Sequence, residues 1–164
     1  MPPAARPTDT VAHPLPPVLT PGPGCLTVLI GFLPAWRGIP LAAVGALQAA
    51  HATAQTAIKT AEAATLAAAG TPGAPAAYAA EQAAKTAALA SMSSAVTSAA
   101  AGADIHICAT PLPVPPHGPG VVITPSATVM IGNLPAARMG DTILEAVGPP
   151  NTITKGEPTV IIGG

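Results

Sequence analysis

The sequence predicts a small, mainly β body with pseudo-threefold symmetry and an inserted antiparallel α-helical hairpin. Residues 27–37 and 128–138 of the 164-residue chain are identical at eight of eleven positions, which indicates a repeated structural unit. A third copy is divided between the two ends of the chain, because 159–163 repeats the start of the segment and 3–9 repeats its end. Between the copies, the 62 residues from 41 to 102 contain 28 alanines, and alanine is the strongest helix former.

The β part is predicted to consist of short strands joined by tight turns. Runs of β-branched residues alternate with glycine and proline, as is typical of strands and turns. Gly132 and Asn133 both tolerate positive φ and predict a tight turn. So many prolines confine strands to edges and first positions, which favours a small, tapered, turn-rich body. The predicted strands are 26–31, 121–124, 127–132, 152–154 and 158–162.

The alanine-rich segment predicts two helices, since its larger side chains recur at steps of three and four residues. Breakers between residues 70 and 75 separate them, and a short connection implies an antiparallel pair. At about 1.5 Å per residue each helix would be roughly 40 Å long, so the hairpin is expected to project from the β body or to lie along it. Two interpretations stay open, a passive structural arm and a docking arm for a partner or chaperone.

This pattern divides the chain into one discontinuous domain and an insert. Residues 1–40 carry the tail of one repeat and the whole of another, and residues 103–164 carry the remaining repeats. These two segments are expected to form a single β domain, with 41–102 as the helical insert.

Composition excludes several classes of protein. Charged residues make up 8% of the chain and the net charge is −1, so a nucleic-acid partner is not expected. No run of about 18 apolar residues occurs, which argues against a stable membrane span. The N-terminus lacks a secretory signal, and two cysteines make no disulfide framework. We therefore expect a protein made in the cytoplasm without a cleaved signal.

Candidate metal ligands occur at one position of the repeat. His13, Cys108 and Glu145 each follow an aspartate by four residues, so a threefold axis would bring them together. His106 precedes Cys108 by two residues, and in a strand both side chains point the same way. His117 lies beyond a proline-rich loop.

We predict one structural zinc ion bound by His13, His106, Cys108 and His117, with Glu145 as the reserve ligand. Three imidazoles and a thiolate suit tetrahedral zinc, and a small body with few aromatic residues needs such a staple. The alternative is a set of unrelated loop histidines and a free thiol. Four protein ligands would close the site, so a zinc hydrolase, which keeps one position open, is not expected and the protein is predicted not to be an enzyme.

Residues 135–138, Pro-Ala-Ala-Arg, are the tetrapeptide from which PAAR-repeat proteins take their name. The chain resembles that family over 1–40 and 103–164. Residues 4–13 also match every fixed position of the motif AARxxDxxxH, so the chain is similar to the prePAAR-containing subgroup. The resemblance implies a cone-shaped tip, with zinc held near its apex by histidines and a cysteine.

The resemblance also implies a function. Such proteins cap the trimeric VgrG spike of bacterial type VI secretion systems, sharpen it for membrane puncture, link cargo to it, and leave the cell with it. One alternative is an adaptor whose hairpin recruits a separate effector or chaperone. Another is the tip of a related contractile injection system or phage tail.

Overall fold

The computed structural model describes residues 1–111 and 116–163, so the predicted proline-rich loop after Cys108 lies partly outside the described residues. Within them the chain forms helices α1 (Leu41–Ala68) and α2 (Ala74–Ala100) and eleven strands. The strands are β1 (Pro3–Ala4), β2 (Pro21–Gly22), β3 (Cys25–Ile30), β4 (Leu33–Ala35), β5 (Ile105–Pro111), β6 (Pro116–Val122), β7 (Met130–Ile131), β8 (Leu134–Pro135), β9 (Thr142–Glu145), β10 (Asn151–Thr152) and β11 (Glu157–Ile161). The predicted β body and helical hairpin are both present.

The three copies of the repeat meet in a ring of backbone hydrogen bonds. Ala5 N–H donates to the Ala137 carbonyl at 2.9 Å, Ala137 N–H to Trp36 at 3.0 Å, and Trp36 N–H to Ala5 at 2.9 Å. These three residues occupy the same position of the repeat, immediately before the arginine. Each copy therefore bonds to the next, and the cycle closes after three, as pseudo-threefold symmetry requires.

Each copy forms a short antiparallel hairpin. Strand β3 pairs with β4, β7 pairs with β8, and β1 pairs with β11 so that Pro3 lies opposite Ile161. The last pairing joins the two chain ends, which confirms the prediction that the third copy is divided between them. All three hairpins bury equivalent side chains in one cluster: Ala4, Ala35 and Ala136 with Ile30, Ile131 and Ile162.

A two-residue turn connects the two strands in each of the β3–β4 and β7–β8 hairpins. Gly132 and Asn133 have φ of 56° and 63°, and Gly31 and Phe32 have φ of 55° and 67°. Positive φ at both central residues is the type I′ geometry that matches strand twist. The turn predicted at Gly132 and Asn133 is confirmed. Its counterpart places an aromatic residue, Phe32, in the left-handed region that bulky residues rarely adopt.

A buried arginine–aspartate pair fixes each copy. In every pair the arginine backbone N–H and guanidinium both donate to the carboxylate. The separation is three residues in two copies but 67 in the other, so the hairpin is inserted inside this turn. The pairs are Arg6–Asp9, Arg37–Asp104 and Arg138–Asp141.

Above the three hairpins lies a five-stranded antiparallel sheet in the order β10-β9-β6-β5-β2. Strand β6 pairs with β5 on one side and with β9 on the other, so Gly120 lies between His106 and Glu145. Alternate residues of β5 are buried, which places His106 and Cys108 on one covered face. This sheet carries the polar residues considered below.

The helical hairpin falls within the predicted segment. Helix α1 begins after Pro40, α2 has proline in its first turn, and α2 ends where Ala101 adopts φ of 49°. Lys85 crosslinks the helices, because its buried Nζ lies 2.6 Å from Glu81 Oε1 and 2.9 Å from Glu62 Oε1. In the described part of the chain, neither helix is long and apolar enough to cross a bilayer.

The hairpin lies along the β body. Leu47, Met92 and Val96 pack with Val121 and Leu144 in the largest buried cluster. Of the two arrangements left open by the sequence, the structure therefore shows the packed one over the first half of α1 and the second half of α2. The β body and the hairpin share one core.

Candidate metal centre

The three residues that follow the repeat aspartates by four positions converge. One ligand atom each from His13, Cys108 and Glu145 lies within 4.8 Å of the others. The aspartates are fixed by their arginine pairs, so each copy carries its fourth following residue to the same place. The convergence expected from the sequence at these positions is confirmed.

His13 contacts two other donor residues. Its Nε2 is 2.5 Å from Nε2 of His106 and 3.5 Å from Oε1 of Glu145. The two imidazole rings are 4.7 Å apart between centroids and tilted by 33°. Nδ1 of His13 is buried and makes no hydrogen bond in the described part of the molecule.

Strand β5 positions two further donors. His106 and Cys108 are both buried and share one face, as their spacing predicts. Nδ1 of His106 lies 3.4 Å from the backbone nitrogen of Thr20, at the long end of hydrogen bonding. This contact orients the ring so that Nε2 faces His13.

His117 occupies a different place from the other predicted ligands. Its Nδ1 lies 2.7 Å from Oε2 of Glu145. Its opposite edge packs on Gly148, where an added Cβ would lie 2.8 Å from His117 Nε2. His117 thus contacts the cluster through a carboxylate, while Glu145, predicted only as a reserve, lies inside it.

The electrostatics of the cluster are unusual for a protein interior. Glu145 is 1% exposed, and in the described part of the chain its carboxylate contacts the imidazoles of His13 and His117. Asn151 Nδ2 donates to Oε1 at 3.3 Å. A carboxylate buried without a permanent cation is costly, which favours a bound cation beside it.

Burial dominates the ionisation of the neighbouring groups. It lowers the pKa of His106 to about 4, with the nearby His13 adding to the effect. It also lowers the pKa of His13, against the opposing pull of Glu145. Burial raises the pKa of the Cys108 thiol. The imidazoles of His13 and His106 are therefore mainly neutral at pH 7, the state that a metal requires.

The donor set fits a transition-metal ion. Thiolate, imidazole and carboxylate are all ligands of zinc, and a buried site with several of them is typical of a structural ion. The sequence signal for Glu145 was its repeat position. A ligand set of nitrogen and sulfur alone assigns Glu145 only a reserve role. The four-ligand set His13, His106, Cys108 and His117 itself stays a prediction.

Cys25 and His51 lie outside this cluster. Cys25 is buried among the three hairpins and contacts Thr27 Oγ1 at 3.3 Å. His51 is buried on α1 beside Gln55, whose Nε2 is 3.4 Å away. Both side chains are buried.

A second candidate site is a set of exposed apolar side chains that recur on the three hairpins. Leu29, Met130 and Ile161 occupy one repeat position, and they are 61%, 55% and 47% exposed. Their neighbours in the strands point inward, so these side chains point outward. Phe32, at the tip of the β3–β4 turn, is 94% exposed. We call Leu29, Met130, Ile161 and Phe32 the base face.

Comparison with known proteins gives one match. Residues 112–164 match the family model of the PAAR motif. This segment contains His117, Glu145 and one full copy of the repeat. Searches of curated proteins and of solved structures found no match. Residues 4–13 lie outside the matched segment, so membership of the prePAAR-containing subgroup stays a prediction.

Proposed function

We propose that this chain, which is a PAAR-repeat protein, forms the tip of a type VI secretion spike and caps a trimeric VgrG protein through its base face. The observation that carries the proposal is the threefold placement of exposed apolar residues. Leu29, Met130 and Ile161 stand at equivalent positions around a pseudo-threefold axis. A trimer presents the same surface three times around its own axis, so one chain can satisfy all three subunits.

Burial of the base face also explains its composition. Large exposed apolar side chains on short strands are an aggregation hazard unless a partner covers them. Full burial of a leucine, isoleucine or methionine side chain contributes about 1.5–3 kcal/mol. Three such residues therefore supply a substantial part of the docking free energy.

The metal centre would serve this function by stiffening the body. Zinc, when bound, would crosslink all three copies, because His13, Cys108 and Glu145 each come from a different copy. A body held in this way transmits force without distortion, as puncture of a membrane by a driven spike requires. The role is structural, and no catalytic step is proposed. The protein would be made in the cytoplasm and exported with the spike.

Introduction of negative charge into the base face tests the docking proposal. Leu29→Asp combined with Met130→Asp should abolish capture by the purified trimeric spike while leaving the fold intact. Leu66→Asp is the matched control, since Leu66 is 78% exposed but lies on the hairpin. Retained capture by the double variant, or equal loss in the control, would reject the base face as the docking surface.

A second candidate function is that of an adaptor, favoured by an apolar groove between α1 and α2. It is lined mainly by alanine, with Ala57 and Ala87 at its exposed rim. Because the hairpin shares its core with the β body, deletion of 41–102 is a poor test. Ala57→Glu should instead block cargo association and spare spike capture, whereas Ala52→Glu, also exposed but outside the groove, should affect neither.

A further inference from the structure

We propose that Phe32 is an aromatic anchor that inserts into one of three equivalent apolar pockets on the threefold spike partner, which makes the β3–β4 hairpin the dominant docking point. The inference rests on the proposed spike-capping function and deepens it. The docking proposal depends on what the three copies of the repeat share, whereas the anchor depends on where they differ.

The first argument is the backbone conformation of Phe32. Its φ of 67° lies in the left-handed region, where a bulky residue is an outlier. Asn133, at the same position of the β7–β8 turn, has φ of 63°, and asparagine tolerates this region well. The turn itself therefore does not require an aromatic residue. Strained backbone positions cluster at functional sites, so this outlier points to a role for the side chain.

The second argument is that Phe32 gains almost nothing from packing within the described chain. It is the single phenylalanine of the sequence and is almost fully exposed, whereas the single tryptophan, Trp36, is buried. An exposed aromatic side chain on a strained backbone destabilises the free protein. Aromatic side chains bury about 150–250 Å² each and dominate the energetics of interfaces. Burial of Phe32 against a partner would therefore offset its cost to the free chain.

The third argument is that both turns are supported from behind by an arginine of another copy. Gly31 packs against the Arg6–Glu157 ion pair, because an added Cβ would lie 2.5 Å from Arg6 Nη1 and 2.7 Å from Glu157 Oε2. Gly132 lies against Arg37, whose Nη1 would be 3.6 Å from an added Cβ. A side chain on a supported turn has less conformational freedom to lose on binding. The two turns also present their second residues in equivalent places.

The three copies differ at the anchor position. Phe32 in the first copy corresponds to Asn133 in the second, and the position in the third copy is 164, which lies outside the described residues. The first hairpin is also more apolar elsewhere, since Leu26 is 72% exposed and its counterpart in the second copy is Ala127. A symmetric trimer offers the same surface to each hairpin, so one of its three subunits would receive the aromatic side chain.

Moving the aromatic residue between the two turns tests the anchor. Phe32→Asn should weaken binding of the full chain to the purified trimeric spike about 10–100-fold in biolayer interferometry, the loss expected when a buried phenylalanine is removed. It should also raise the melting temperature of the free chain, because asparagine relieves the backbone strain. Phe32→Asn combined with Asn133→Phe should recover most of the affinity, because the second hairpin meets an equivalent pocket.

The matched control is Tyr78→Asn, which removes an exposed aromatic residue from helix α2 and should bind like wild type. Full affinity in Phe32→Asn would overturn the anchor but leave spike capping in place if Leu29→Asp with Met130→Asp still abolishes capture. A double exchange that binds as weakly as Phe32→Asn would also overturn the proposal, since the three pockets would then not be equivalent. Absence of capture by the wild-type chain would reject the proposed function itself, and the anchor with it.

Discussion

Asp104→Asn should destabilise the protein strongly, because Asp104 closes the turn into which the whole hairpin is inserted. Its carboxylate is 0% exposed and accepts hydrogen bonds from Gly24 N at 2.7 Å and from Arg37 N, Nε and Nη2 at 2.8, 3.0 and 3.0 Å. Removing one partner of a buried ion pair costs about 3–5 kcal/mol. At about 2–4 °C per kcal/mol for a chain of this size, the melting temperature should fall by about 6–20 °C.

The assay is thermal unfolding followed by circular dichroism, with zinc in excess for every variant. The matched control is Glu157→Gln. Glu157 contacts Arg6, but Arg6 keeps its pair with Asp9 when Glu157 is neutralised, so the melting temperature should stay near that of wild type. If Asp104→Asn melts no lower than Glu157→Gln, the arginine–aspartate pair does not secure the insert and the reasoning fails.

Three further perturbations test other parts of the account. Addition of a strong chelator should lower the melting temperature, because a metal ion present at 1,000 times its dissociation constant adds about 4 kcal/mol to the free energy of unfolding. An unchanged melting temperature would exclude a structural metal. Met92→Ala should lower the free energy of unfolding by about 2–5 kcal/mol, because Met92 is buried between the hairpin and the sheet. Leu66→Ala, at an exposed position, should lower it little. Equal losses in the two variants would contradict a core shared by the hairpin and the β body. Acid should destabilise the end of the hairpin where the two helices are connected. The pKa of Glu81 is lowered, above all by its hydrogen bond to Lys85. The contribution of this pair to stability is therefore present above the ordinary glutamate pKa of 4.5 and is lost as the pH falls through the lower pKa of the folded state. Hydrogen exchange at 65–80 should show this acid response in wild type and not in Glu81→Gln, and an identical response in both would contradict it.

The repeat and the helices were predictable because they are local or periodic features. Eight identities in eleven residues identified the copies, and alanine content with a glycine–proline interruption identified two helices inside 41–102. Even the joined chain ends followed from the repeat, since only a pairing of 3–4 with 157–161 completes the third copy.

Contacts between distant segments were harder to predict. The pairing of Arg37 with Asp104 is not a local feature, because the insert separates the two residues by 67 positions where Arg6 and Asp9 are three apart. The orientation of His117 depends on Gly148 and Glu145, which approach it only through sheet pairing. The sequence could show which donors were present but not which of them faced the same point.

The hairpin's position along the β body also lay beyond sequence analysis. Its apolar stripe is thin, and alanine supplies little information about what covers it. Only the assembled sheet shows that Val121 and Leu144 complete the core around Met92. Periodicity identifies a face of a helix, whereas the partner of that face is set by tertiary packing.

The central claim is that one chain with three like copies caps a threefold partner. Native mass spectrometry of the purified complex with the trimeric spike measures this directly. Capping by a pseudo-threefold chain predicts one copy of this chain for every three spike subunits. Three copies for each spike trimer, or no complex under conditions in which both proteins are folded and zinc is present, would contradict it.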